Sequence, residues 1–107
     1  MVIFRTSKNE YNLRLTTKGC VSCEKRIGKN PLNVFMEANE NKVPKISDLM
    51  VILHECILPS NHGIKIEDVY DIYDDFCADG NSLMDLIDLL VQVFADAGFL
   101  PKEDGKN

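Results

Sequence analysis

Residues 82–97 constrain this chain more than any other stretch. Ser82 and Asp85 stand at the spacing of a capping box, and Gly98 followed by Pro101 supplies a left-handed stop and a breaker. Wound as a helix between those signals, Leu83, Leu86, Ile87, Leu90 and Phe94 form a core stripe. Met84, Val91 and Ala95 widen it on one side, and Leu89 and Val93 on the other. Only Asp85, Asp88, Gln92 and Asp96 stay polar, so the apolar arc covers roughly 240°, against the ~100° that a surface helix needs. One neighbouring element cannot cover that much. The cover comes either from other helices of this chain or from a second chain.

The rest of the sequence offers that cover in short pieces. Val2, Phe4, Leu13 and Leu15 alternate with polar residues, which predicts strands over 2–5 and 11–16 joined by a turn at Ser7–Glu10. Thr16-Thr17 caps a helix that runs to Ile27 and stops at Gly28. It turns Cys20, Cys23 and Ile27 inward and Ser22, Lys25 and Arg26 outward. Asn30-Pro31 opens a short helix with Leu32, Phe35 and Met36 as its apolar edge. The next helix starts at Ser47, stapled by Ile46 and Val51. Its Leu49, Ile52, Leu53, Cys56 and Ile57 cover most of the circumference, so it belongs in the middle of the domain. Over 66–78, Ile66, Val69, Tyr70, Tyr73, Phe76 and Cys77 share one arc, with Glu67, Asp68, Asp71, Asp74 and Asp75 on the other side. The expected fold is α+β, mainly α: an N-terminal β-hairpin (1–16) followed by a small bundle of about five helices (17–100). Residues 1–100 form a single globular domain, and 101–107 a flexible polar tail.

At 107 residues and 45% hydrophobic, the chain is too apolar for a disordered segment and too short for a second domain. No apolar run approaches the ~18 residues of a membrane helix, and the first residues lack a secretion signal, so membrane association is not expected. The net charge of −5 is unevenly spread. Residues 1–65 carry ten Lys/Arg and six Asp/Glu; residues 66–107 carry two and eleven, with nothing basic between Lys65 and Lys102. That distribution argues against nucleic acid as a partner, because phosphate binding needs clustered cations. It reads as a solvated acidic face, or as a surface that steers a basic partner.

Candidate chemistry is sparse. Cys20-Val-Ser-Cys23 follows a strand and opens a helix, the placement of a thioredoxin-type pair, but no later segment reads as a strand. Zinc could draw on Cys20 and Cys23 with Cys56, His54 or His62, yet only one tight ligand pair is present. Asp75 to Gly80 starts like a calcium loop and fails at its twelfth position, which is Leu86. No phosphate loop or activated nucleophile is recognisable. The expectation is a non-enzymatic, cytosolic protein with reduced thiols and no cofactor or metal. A small acidic adaptor that docks on a basic partner, or a small zinc-binding protein, is the alternative.

Leu13-Arg-Leu-Thr-Thr17, Glu24-Lys-Arg-Ile-Gly28 and Asn30-Pro-Leu32 together resemble the opening of the tail assembly chaperones of long-tailed bacteriophages. The Leu-rich helix at 47–58, the Asn61-His-Gly63 loop, the helix at 66–78 and the apolar final helix extend the resemblance over residues 11–100. Cys23 departs from it, standing where those proteins carry a larger aliphatic residue. The resemblance implies a chaperone of the phage or prophage tape measure protein, acting in the host cytoplasm and absent from the mature virion. It also implies a short form whose longer, frameshifted counterpart recruits the tail tube protein. Within that frame Met84, Leu89, Val91 and Val93 are expected to supply contact area, and Asp68, Asp71 and Asp75 solubility and on-rate. A homo-oligomer is compatible with the surplus apolar arc.

Overall fold

Antiparallel pairing of Val2–Arg5 (β1) with Glu10–Leu13 (β2) opens the fold, Val2 lying opposite Leu13 and Phe4 opposite Tyr11. The computed structural model describes residues 1–100, and the expected tail at 101–107 lies outside the described residues. Thr6 closes the hairpin turn. Its N–H donates to the Asn9 carbonyl at 2.8 Å, and its hydroxyl accepts from the N–H groups of Lys8 and Asn9. β2 ends at Leu13 instead of running to residue 16, because β1 is four residues long and offers no partner beyond that point. The Arg14 N–H donates instead to the Cys56 carbonyl at 2.9 Å, near a helix end where carbonyls lack intrahelical partners.

The helices follow the caps. Thr17–Ile27 (α1) begins with the Thr16 hydroxyl accepting from Gly19 N–H and ends at Gly28, whose φ of 77° suits a residue without Cβ. Pro31–Asn39 (α2) is capped by the Asn30 side chain. Ile46–Ile57 (α3) starts one residue before the expected Ser47; Lys45 holds the cap position and Ile46 stays exposed, so no staple forms. Ile66–Ala78 (α4) and Leu83–Asp96 (α5) are the last two helices among the described residues. In α5 the Ser82 N–H donates to Asp85 at 2.8 Å and the Asp85 N–H returns to Ser82 Oγ at 3.3 Å, the reciprocal box that the spacing predicts. The fold is therefore α+β, mainly α, with a two-stranded hairpin and five helices.

The hub is α3, packed against α1, α2, α4, α5 and β2. Leu49, Ile52, Leu53, Cys56 and Ile57 are all fully buried there. At about 1.5–3 kcal/mol for each large aliphatic side chain removed from water, this helix holds the largest share of the stability. α5 rests on α3 and β1 through Leu86, Leu90, Val93 and Phe94. Phe4 stacks on Phe76 at 4.4 Å, which joins the hairpin to α4.

The buried face of α4 is rotated from the expected arc. Val69, Ile72 and Phe76 are buried, whereas Tyr70 and Cys77 are exposed. The hairpin turn is the cause. Lys8 Nζ lies 3.2 Å from Asp75 Oδ1, and the Ser7 N–H donates to Asp79 Oδ2 at 2.7 Å, so the hairpin covers the flank that carries Ile72. Among the described residues no helix is long and apolar enough to cross a membrane.

Candidate functional site

An otherwise apolar α3 carries two buried acids, and each is met by a cation from a neighbouring segment. Glu55 accepts from the Ser22 hydroxyl and from Arg26 Nη1, the latter at 2.8 Å. Arg26 is exposed, as the periodicity of α1 suggested, yet its guanidinium reaches back to α3, and Ser22 is half-buried there. A carboxylate at this depth is costly without a partner, which is why α1 docks by that flank. Asp48 is held by Lys29 at 3.3 Å, and the same ammonium reaches Glu37 at 3.2 Å. Hydrogen bonding to Glu37, with Asp48 adding to it, raises the Lys29 pKa. Both networks are internal joints of the bundle.

Cys20, Cys23 and Cys56 belong to the same two helices, α1 and α3, while Cys77 is exposed on α4. Burial pushes the Cys23 thiol up to about 12 and Cys56 well above its ordinary value. Cys20 is raised by burial and then by Glu24. A redox or nucleophilic cysteine needs the opposite shift, towards the thiolate. Among the described residues no three His, Cys, Asp or Glu side chains converge to hold a metal ion. His54 donates its Nε2–H to the Ile64 carbonyl at 2.8 Å and fastens α3 to the segment leading into α4. His62 lies exposed in the preceding loop.

α2 and α5 face each other across an open groove of about 1290 Å³. The two helices meet through Phe35 and Phe94, edge to face at 4.9 Å, and not along their lengths. Phe35 and Ile87 make a nearly buried floor. Leu32 and Met36 form the α2 wall, and Met84, Val91 and Ala95 the α5 wall. Met36 and Met84 are each 57% exposed at its mouth. Flexible, polarisable thioethers at a rim let one surface fit differently shaped apolar partners. Among the described residues the polar rim consists of Asn39, Asp88, Gln92 and Asp96, with no Lys or Arg.

A family model described as a family of unknown function (DUF6096) matches residues 3–107. The chain belongs to this family. Neither the curated proteins nor the solved structures contain a significant match to it.

In this DUF6096 member the surface residues expected from the sequence fall in different places. Met84 and Val91 line the groove. Leu89 is half-buried against the core, away from the groove lining. Val93 is only 1% exposed, a correction to its expected role: it packs in the core and has no contact area to offer. Asp75 is engaged by Lys8, and Asp68 accepts the Lys65 N–H at 3.0 Å as part of the α4 cap. Asp71 is exposed beside a shallow depression that also includes Asp68, His62 and Tyr11. None of the three acids lines the groove. The α2 wall escaped the sequence reading as a site. Its signal, Met36 on the apolar edge of a short helix, was present, but nothing local said which helix it would face.

Proposed function

We propose that this protein is a non-enzymatic chaperone of phage or prophage tail assembly, and that its α2–α5 groove holds an apolar helical stripe of the tape measure protein. The open groove with a methionine on each wall is the observation that carries this reading. The resemblance over residues 11–100 gives the client its identity. An amphipathic helix laid into an apolar groove is a recurrent recognition mode, and it demands the feature α5 displays: apolar circumference left over after the core is built. On this reading the protein works in the host cytoplasm and leaves with neither the tail nor the virion. A longer frameshifted form brings the tail tube protein to the same client.

Co-expression with a candidate tape measure protein, scored by the soluble fraction of that client, tests the proposal. Wild type and a Val21→Asp control on α1, an exposed position outside the groove lining, are expected to keep the client soluble, and Met84→Asp to lose it. Equal rescue by Met84→Asp removes the groove from the mechanism. Binding that disappears above moderate salt, whatever residue 84 is, replaces the chaperone with the charge-driven adaptor.

A further inference from the structure

We infer that the groove takes an amphipathic helix of about three turns whose basic residues run along one edge only, the edge facing α5; this rests on the helix-binding reading of the same groove and adds the chemistry of its occupant. From Met84 to Ala95 the α5 wall extends about 17 Å at 1.5 Å per residue, the length of roughly three helical turns. Asp88, Gln92 and Asp96 recur at every fourth position, so they form a single row along that wall. The two carboxylates of the row stand about 12 Å apart along the helix axis. Among the described residues the α2 side of the rim is uncharged, with Asn39 as its polar residue.

The charge of that row is available to a partner. Asp88 has no ion pair among the described residues. Asp96 has the Met1 amino group at 3.6 Å, an exposed contact of the kind that contributes little. The acids of α3, in contrast, are already matched by Arg26 and Lys29. A helix with Lys or Arg two turns apart on one edge therefore complements the groove, and one with acids there is repelled. A second copy of this chain fits poorly. Its α1 has Lys18 and Lys25 two turns apart, but Val21 is the one exposed apolar side chain between them, the acidic Glu24 is exposed there too, and Cys23 is buried against the chain's own core.

Fluorescent peptides of about 18 residues, long enough to hold a helix, test the inference by anisotropy titration into the full chain. All share one apolar stripe. The first carries two Lys two turns apart on one edge, the second Glu at those places, and the third one Lys on each edge. The first is expected to bind roughly tenfold tighter than the second, a gap that two exposed charge contacts can supply, and severalfold tighter than the third. Asp88→Asn with Asp96→Asn is expected to erase the preference and keep the binding, and Met84→Asp to weaken all three peptides. Equal binding of all three overturns the one-edge inference and leaves the groove reading standing. No binding of any peptide, or no effect of Met84→Asp, overturns the groove reading itself. A dimer of the chain alone that Met84→Asp dissociates assigns the groove to a second copy and overturns the inference.

Discussion

Two helices of this protein are apolar around most of their circumference, and they meet different fates. α3 is enclosed by α1, α2, α4, α5 and β2, whereas α5 rests on α3 and β1 and stands back from α2. Both acids buried in α3 are paired within the chain. Those of α5 cap its own first turn, as Asp85 does, or face outward, as Asp88 does. The width of an apolar arc thus states how much cover a helix needs but not who provides it. The nine residues of α2, touching α5 through Phe35 and Phe94, cannot cover a helix of fourteen. What α2 leaves open is the groove.

The contrast breaks first if large-to-small changes cost as much on the groove side of α5 as inside the enclosed α3. Leu53→Ala in α3 is expected to destabilise by about 2–5 kcal/mol, as its site is fully enclosed, and Leu90→Ala on the core side of α5 by a similar amount. Met84→Ala, across the same helix from Leu90, is expected to stay within about 0.5 kcal/mol. Urea denaturation of the three variants measures this. A Met84 cost equal to that of Leu53 means the groove is closed in solution.

Removing a partner from an acid sharpens the comparison at the next level. Arg26→Ala strands the buried Glu55 with only Ser22, and a loss of roughly 1–3 kcal/mol is expected. Adding Glu55→Gln to it should recover part of that loss, since the uncompensated charge disappears. Asp88→Asn in α5, with no internal partner to strand, should leave the urea midpoint unchanged.

Alkaline titration separates the helices again. Cys23 and Cys56 have their thiols pushed up by burial, so the folded state keeps them protonated while the unfolded chain ionises near pH 9. Stability is therefore complete below about pH 9 and declines as pH rises towards about 12, where Cys23 itself ionises in the fold. Cys23→Ala should flatten that decline at the expense of a small cavity. In labelling at pH 8, where the thiolate is the reacting species, the exposed Cys77 should react first and Cys23 and Cys56 only after unfolding. α5 has no cysteine. The part of the alkaline loss that Cys23→Ala removes therefore reports on the α1–α3 interface, while Lys29, raised by Glu37, and Tyr73, raised by burial, add losses of their own.

Much of this architecture was legible in the residues, and apart from the early start of α3 without its staple the failures share a cause. The caps at Thr16, Asn30 and Ser82, the left-handed glycines and the central place of α3 depend on local spacing or on total apolar area, and they stand as expected. The misreadings lie where one element chooses a flank of another. The hairpin turn grips Asp75 and Asp79 and so rotates the buried face of α4 towards Ile72. Glu55 pulls Ser22 and Arg26 inward. The Cys56 carbonyl takes the Arg14 N–H and ends β2. Half of the candidate site obeyed the same rule. Met84 and Val91 were legible as surplus on α5, while Val93 went to the core and Met36 arrived from a helix whose partner no local pattern names.

A small expected stability effect is also the most discriminating. Gln92 lies between Asp88 and Asp96 in the α5 row, one turn from each. Gln92→Lys places a cation four residues from both acids, and such pairs stabilise a helix by about 0.2–0.5 kcal/mol each. The urea midpoint should therefore rise slightly. The same substitution cancels the negative edge of the groove, so basic-edged helices should bind several-fold more weakly, while Gln92→Glu moves both quantities the other way. A residue that served only the fold would shift stability and binding together. Opposite signs at Gln92 mark a row of side chains whose charge faces a partner, which no position on the enclosed α3 can reproduce, because its acids already have theirs.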